Sequence, residues 1–162
     1  MSTRLRLPRP ALPAAVLLGL VAAAPIGAHH SFSIFDHEQT KVFTGVVTRV
    51  NPDANHLQVF FAPMNAERKN VERDAAGKPV VWAVEMTGSA QAAKQGVSVT
   101  SFAPGTIFSV GLHPLRSGEM AGSRVGTMYK CPAKTPPAAG KHCDSVQGAE
   151  RLGDGALAEG KE

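Results

Sequence analysis

The sequence predicts a small, mainly β domain preceded by an N-terminal signal peptide. Five short segments alternate apolar or β-branched residues with polar ones, which is the period of a strand with one buried face. One stretch of helix-forming residues lies between the third and the fourth of these segments. An OB-fold has a helix at that point and closes into a small barrel. We therefore expect a five-stranded OB-like barrel, while a five-stranded roll of another topology would produce the same pattern.

The first 28 residues have the layout of a signal peptide. A basic head is followed by an apolar run over residues 11–24 and by small residues that end at Ala28. We expect cleavage between Ala28 and His29, and a mature protein that is periplasmic or secreted. A retained signal-anchor helix is the alternative, because residues 11–28 are nearly long enough to span a bilayer. Two prolines interrupt that run and no second apolar stretch follows, so we predict no membrane span after cleavage.

The length of the mature chain indicates one domain. We predict a signal peptide over residues 1–28, an OB-like domain over residues 29–143, and a flexible tail over residues 144–162, which are rich in glycine, alanine and charged residues.

The whole chain has 17 Lys and Arg against 13 Asp and Glu. Three of the arginines belong to the signal peptide, which leaves 14 against 13. That balance, without clustered positive charge, argues against a nucleic-acid partner.

The first three strands are predicted over residues 42–50, 57–61 and 80–86. The turn signal Asn-Pro-Asp-Ala-Asn separates the first strand from the second, and a polar loop over residues 63–79 separates the second from the third. Alternation in the second and third strands predicts which side chains face the core. These are Leu57, Val59, Phe61, Trp82, Val84 and Met86.

One helix and two further strands complete the predicted barrel. Residues 89–95 are helix formers behind a candidate cap at Ser89, and Gly96 is placed to end the helix. Strands are predicted over residues 106–112 and 124–130. Three strand glycines fit the bends of a tightly coiled barrel, although ordinary strand irregularities would also account for them. They are Gly45, Gly111 and Gly126.

The two cysteines predict a structural disulfide. Cys131 and Cys143 lie close together in the sequence, and cysteines in an oxidising compartment usually pair. The bond would stabilise the domain by about 2–3 kcal/mol through its effect on the unfolded state. A zinc site is the weaker alternative, because zinc usually takes four ligands and only His142 is nearby. A catalytic thiol would have to escape oxidation, and no residue pattern supports that interpretation.

Several motifs follow one another in an order that resembles a known family. The expected mature chain begins His29-His30-Ser31-Phe32, then has Gly-x-Val-x-x-Val over residues 45–50 and Trp-Ala-Val-Glu over residues 82–85. This order resembles a group of secreted bacterial domains of unknown function. The family's usual Asn-Pro-His turn is altered here, because the histidine is displaced to His56. The resemblance implies a fold and a compartment but no reaction, and the loop over residues 63–79 and the cysteine-closed loop look like additions to it.

The histidines support a metal-binding hypothesis. Cleavage after Ala28 would give His29 a free α-amine beside its own imidazole, and both groups can be neutral donors near neutral pH. Together they can chelate Cu(II), which favours nitrogen ligands in a tetragonal plane. The candidate metal ligands are His29, His30, His56 and His113, with Asp36 and His37 as further candidates. Against this stands the simpler interpretation that histidines near a terminus are exposed, and we expect His37 and His142 by themselves to be surface residues.

No residue pattern specifies a reaction. The sequence lacks a nucleophile elbow, a zinc-protease helix motif and a phosphate-binding loop, so we expect a protein that is not an enzyme. Asp36 and His37 lie too close in sequence to Ser31 and Ser33 for a triad to form readily. Glu85 is expected on the outer face of the third strand, either solvated or paired with a neighbour such as Arg49.

Binding is the function class that remains. OB-like barrels bind ligands across one face, and the large aromatic residues available for such a face are Phe43, Phe60, Trp82 and Tyr129. Most of them should instead fill the core, because a small barrel needs large side chains inside it. We therefore expect an exported, non-catalytic protein that binds an unidentified ligand or protein partner. Copper binding through His29 is the alternative function.

Overall fold

A computed structural model describes residues 32–52 and 56–162 of the 162-residue chain. The predicted signal peptide, the cleavage site between Ala28 and His29, and the candidate ligand His30 lie outside the described residues. Within those residues, no helix combines the length and the apolar character needed to cross a membrane.

All five predicted strands and the predicted helix are present. The five strands are β1 (Lys41–Pro52), β2 (Leu57–Pro63), β3 (Trp82–Glu85), β4 (Ile107–Pro114) and β5 (Ala121–Lys130). A further strand that was not predicted, β6 (Glu150–Leu157), follows them. The helix α1 spans Ser89–Lys94, and two single-turn 3-10 helices span Phe32–Ile34 and Cys143–Ser145. Gly88 rather than Ser89 occupies the cap position of α1, and the backbone carbonyl of Gly88 accepts hydrogen bonds from Gln91 and Ala92. Gly96 follows the helix with a φ of 74°, as predicted for the residue that ends it.

The first five strands close into a barrel. They pair in the order β3-β2-β1-β4-β5, and all of these neighbours are antiparallel. A parallel pairing of β3 with β5, from Ala83 opposite Ala121 to Glu85 opposite Ser123, completes the circle. The helix lies between β3 and β4 in the chain. This arrangement confirms the predicted five-stranded OB-like barrel.

The C-terminal segment differs from the flexible tail predicted over residues 144–162. Residues Glu150–Leu157 form β6, which pairs antiparallel with the second half of β5. Leu152 is buried in the core, and the backbone carbonyl of Lys161 accepts a hydrogen bond from Val42 in β1 at 2.9 Å. The prediction of flexibility rested on the small number of apolar residues, but the free edge of β5 supplies backbone hydrogen bonds that do not depend on composition.

The core has the predicted inward face. Leu57, Val59 and Phe61 of β2 are buried, and so are Val84 of β3 and Met86 just after it. Trp82 packs against this cluster, where its ring lies 4.8 Å from the Phe43 ring, centroid to centroid. Two of the aromatic residues considered for a ligand face, Phe43 and Trp82, therefore belong to the core or its margin.

Gly45 and Gly111 lie where the strands pack too closely against neighbouring atoms for a side chain, which is a stronger requirement for glycine than a bend. A Cβ on Gly45 would lie 2.5 Å from a ring carbon of Phe61 inside the barrel. A Cβ on Gly111, which points outward, would lie 2.6 Å from Cβ of Ala158, where the segment after β6 crosses β4. Gly126 fits the predicted bend, because it has a φ of 70° at the register shift between β5 and β6.

The two loops that looked like additions pack against each other. Cys131 and Cys143 are joined at an Sγ–Sγ distance of 2.04 Å, as predicted, and they close what we call the disulfide loop, residues 131–143. The backbone N–H of Gly140 in this loop donates to the carbonyl of Ala66 at 2.9 Å. The side chain of Arg68 is buried between the two loops and donates through Nε to the carbonyl of Lys141 at 2.9 Å.

Candidate functional site

His113 lies at the end of β4, where β1 begins. Its Nδ1 is 2.8 Å from the backbone carbonyl oxygen of Gln39. A carbonyl can only accept a hydrogen bond, so Nδ1 carries the hydrogen and the neutral ring has its lone pair on Nε2. Metal-binding histidines commonly have this arrangement, in which one nitrogen donates to a carbonyl and the other is left to coordinate.

His37 supplies a second imidazole beside His113. The two rings meet edge to face, with centroids 4.8 Å apart and an interplanar angle of 68°. His37 lies in the turn just before β1. The sequence offered both residues as candidates but gave no reason to pair them, because 76 positions separate them. The contact arises because the chain before β1 continues along the end of β4, with Phe35 opposite Leu115.

Asp36, the carboxylate next to His37, is engaged in the same turn. Its side chain accepts hydrogen bonds from Nε2 of Gln39 at 2.7 Å and from the backbone N–H of Glu38 at 3.2 Å. Arg116 approaches it at 3.8 Å. Asp36 therefore shapes the turn that places His37 and Gln39 around His113.

His56 has a different partner. Its Nδ1 lies 3.0 Å from Oε1 of Glu85, on the outer face where β2 meets β3. The neighbour suggested for Glu85 by the sequence, Arg49, instead lies over the Phe60 ring, with its guanidinium carbon 3.3 Å from the centroid. Phe60 is thus half-buried on the outer face beneath Arg49.

The structure separates His56 from His113. Glu85 is aligned with Ser123 of β5, and Ser123 is aligned with His113 of β4. Two strand spacings, roughly 10 Å, therefore lie between the backbones at Glu85 and His113. Among the described residues, no group of three His, Cys, Asp or Glu side chains could hold a metal ion. Completion of a metal site at His37 and His113 would require donors from outside those residues.

A comparison with protein-family models assigns the chain to a family. Residues 17–124 match the model of a family of unknown function, DUF6152. The chain belongs to the DUF6152 family. No curated protein and no solved structure matches it.

The DUF6152 match divides the histidines into two groups. Five histidines lie inside the matched residues, whereas His142 and both cysteines lie beyond them. The five are His29, His30, His37, His56 and His113. The disulfide loop and β6 are therefore outside the part of the chain that the DUF6152 model covers. This agrees with the expectation that the cysteine-closed loop is an addition.

His142 is the residue that sequence reasoning placed wrongly. It was expected at the surface, but its Nδ1 lies 2.9 Å from Oγ1 of Thr44, and its ring is half-buried. Burial and the nearby Arg68 guanidinium lower the pKa of His142, while Glu162 and Asp144 act in the opposite direction. The available signal was its position next to Cys143, since a disulfide draws its neighbours toward the domain.

A cleft of about 260 Å³ opens at the same end of the barrel as His113. Trp82 and Leu115 contribute apolar surface to it. Charges of both signs also line it, from Lys41, Arg116, Asp36 and Glu119. The Lys41 ammonium lies 5.9 Å from the centroid of the Trp82 ring. This arrangement could bind a small molecule that carries both an apolar group and a charge.

Proposed function

We propose that the protein is exported with removal of residues 1–28 and serves as a Cu(II)-binding protein rather than an enzyme. The observation that carries this proposal is the pairing of His113 with His37, in which the Gln39 carbonyl holds the hydrogen on Nδ1 of His113. The site would use Nε2 of His113, the ring of His37, and the α-amine and imidazole of His29. Four nitrogen donors match the coordination that Cu(II) prefers.

The length of the chain makes this ligand set feasible. The carbonyl of Ile34 accepts a hydrogen bond from the backbone N–H of Arg116 at 2.9 Å, so the first described residues lie beside the end of β4. Three residue steps separate His29 from Phe32, a reach of at most about 11 Å for an extended chain. His113 is three positions before Arg116, roughly 10 Å along an extended chain, so His29 would have to turn back past Ile34 to reach it. His56, which is held by Glu85 on another part of the outer face, is not required.

The proposed chemistry requires loss of protons from the ligands. Both the α-amine and the imidazoles bind the metal through a lone pair that a proton would otherwise occupy, so affinity should fall as the pH is lowered. A free N-terminus is essential, because an upstream peptide bond would convert the amine of His29 into an amide. Export and cleavage are therefore part of the proposed function.

The test combines N-terminal analysis with copper titration. We expect mass spectrometry of the exported protein to place its first residue at His29, and Cu(II) titration followed by electron paramagnetic resonance to show one site of nitrogen ligands. Variant His29→Ala should abolish this site. Variant His113→Ala should weaken it at least about tenfold, because even the loss of a ligand's outer-shell partner costs about 10–100-fold. Variant His56→Ala is the matched control and should bind as the unaltered protein does. Equal binding by the His113→Ala variant and the unaltered protein would contradict the proposal.

Binding of a small organic ligand in the cleft beside Trp82 is the second candidate function. The chain has one tryptophan, so the fluorescence of Trp82 reports on this cleft alone. A ligand that enters the cleft should change that fluorescence in the unaltered protein, and the change should be weaker in a Lys41→Ala variant. The His113→Ala variant is the control that separates the two candidates. Cu(II) is added to it because this variant should bind copper weakly, although the residues of the cleft are unchanged.

A further inference from the structure

A buried pair of hydroxyl groups lies beneath the disulfide loop. Thr44 of β1 is directly opposite Ser109 of β4, and both side chains point outward, since the flanking Phe43, Phe108 and Val110 are in the core. The loop covers them completely, so that neither residue has exposed surface. Their oxygens are 2.7 Å apart, which makes one hydrogen bond that either hydroxyl could donate.

Two consecutive residues of the disulfide loop bind to this pair. The backbone N–H of Cys143 donates to Oγ of Ser109 at 2.8 Å, and Nδ1 of His142 lies 2.9 Å from Oγ1 of Thr44. Four groups therefore form one continuous chain of hydrogen bonds. It runs from the Cys143 amide through both hydroxyls to the imidazole.

The number of hydrogens in the chain determines its direction. The Cys143 amide can only donate, so Ser109 accepts there and can donate its own hydrogen to Thr44. Thr44 then donates to Nδ1 of His142, provided that Nδ1 carries no hydrogen. Every buried polar group is satisfied in this arrangement, in agreement with the absence of unpaired buried side-chain atoms among the described residues.

Protonation of His142 puts one hydrogen too many into the chain. An Nδ1 that carries a hydrogen must donate to Thr44, which can then either donate to Ser109 or accept from it. In either case one of the two hydroxyl hydrogens has no acceptor within the chain, since both ends of the chain, the imidazole and the Cys143 amide, are then donors. A buried donor without a partner destabilises the arrangement that buries it.

The charges around His142 come from three parts of the chain. Arg68 belongs to the loop after β2, Asp144 follows the disulfide loop, and Glu162 lies beyond β6. Burial and Arg68 together outweigh the two carboxylates, so the pKa of His142 is lowered from its ordinary value. The unfolded or released loop has an imidazole pKa of about 6.5. Stability of the closed loop is therefore complete above that pH and decreases as the pH falls below it.

We propose that His142, Thr44 and Ser109 form a pH-sensitive latch, which holds the disulfide loop against β1 and β4 while His142 is neutral and releases it when His142 is protonated. The latch is independent of the proposed copper site, because it shares no residue with it. The biological trigger rests on the export proposed above, since an exported protein is exposed to the pH of its surroundings and the latch would respond to acidification outside the cell.

The most direct test is nuclear magnetic resonance of the unaltered, disulfide-bonded protein without copper. At about pH 7.5, nitrogen shifts should show His142 with its hydrogen on Nε2 and a bare Nδ1. The ring should titrate below its ordinary value of about 6.5. A hydrogen on Nδ1 at neutral pH, or titration at or above the ordinary value, would overturn the proposal.

A variant separates the latch from general acid effects. His142→Asn places a carbonyl oxygen near the position of Nδ1, where it can accept from Thr44 but cannot be protonated near neutral pH. In the unaltered protein, hydrogen-exchange protection of the Cys143 amide, corrected for intrinsic rates, should fall about tenfold or more between about pH 7.5 and about pH 5. On a logarithmic scale, the loss of protection in the His142→Asn variant should be less than half of the loss in the unaltered protein. Equal losses in the two proteins would refute the latch, and the tautomer measurement decides the matter if the variant does not fold.

Discussion

The buried guanidinium of Arg68 forms an ion pair with the side-chain carboxylate of Glu162, which is 94 positions away in the sequence. The same guanidinium donates to the backbone carbonyls of Met64, Asn65 and Lys141. Arg68 therefore ties together the loop after β2, the disulfide loop and the end of the described chain. These are three segments that have few apolar residues with which to pack.

The contacts of Arg68 predict that its hydrogen bonds to backbone carbonyls contribute more to stability than its ion pair with Glu162. Variant Arg68→Met should lower the free energy of unfolding by about 1–3 kcal/mol, because it leaves buried carbonyls without donors. Variant Glu162→Gln should cost less than about 1 kcal/mol, since that carboxylate is partly exposed and solvent screens the pair. Urea denaturation at neutral pH measures both values. Equal losses would show that the ion pair, rather than the carbonyl contacts, supplies the stability.

Burial of Leu152 predicts that β6 is part of the folded domain. Variant Leu152→Ala should lower the free energy of unfolding by about 2–5 kcal/mol, the cost of a cavity in a packed core. Val99→Ala is the control, because Val99 is exposed and its truncation should change stability by less than about 0.5 kcal/mol. If the Leu152→Ala variant were as stable as the control, β6 would not belong to the folded domain, and the flexible tail predicted from the composition would be supported instead.

The close approach of Gly111 and Ala158 predicts a coupled effect. Variant Gly111→Ala should cost about 1–3 kcal/mol, because its Cβ would overlap that of Ala158. In a chain that ends at Leu157, the same substitution should cost less, since the crossing segment is absent and only the tight approach to the Val125 carbonyl oxygen, at 3.0 Å, remains. Denaturation of the four proteins forms a double-mutant cycle. Additive effects would contradict a contact between these residues.

The disulfide predicts stability that is lost on reduction. Replacing Cys131 and Cys143 together by alanine should lower the free energy of unfolding by about 2–3 kcal/mol, the value for a loop of this length. The loss should be accompanied by exposure of the Thr44 and Ser109 hydroxyls, because the loop no longer holds His142 in place. Chemical reduction of the unaltered protein should give a similar loss of stability, and retention of full stability would argue against a structural role.

Sequence reasoning succeeded where a local pattern decides the structure. The alternation of Leu57, Val59 and Phe61 determined which face of β2 is buried, since side-chain direction along a strand has a period of two. The short spacing of the two cysteines likewise predicted their bond. The position of Glu85 on the outer face was predicted in the same way, but its partner was not, because partners across strands depend on the register.

The sequence by itself thus determined the five strands of the barrel, the helix α1, the disulfide and the set of histidines. Only the tertiary structure decided that His37 meets His113, that His142 meets Thr44, and that β6 extends the sheet along β5. The physical reason is that barrel closure brings together residues far apart in the chain, and the register of each pairing depends on all the strands at once. Backbone hydrogen bonds at the edge of β5 also order β6, although the side chains of β6 did not predict a strand.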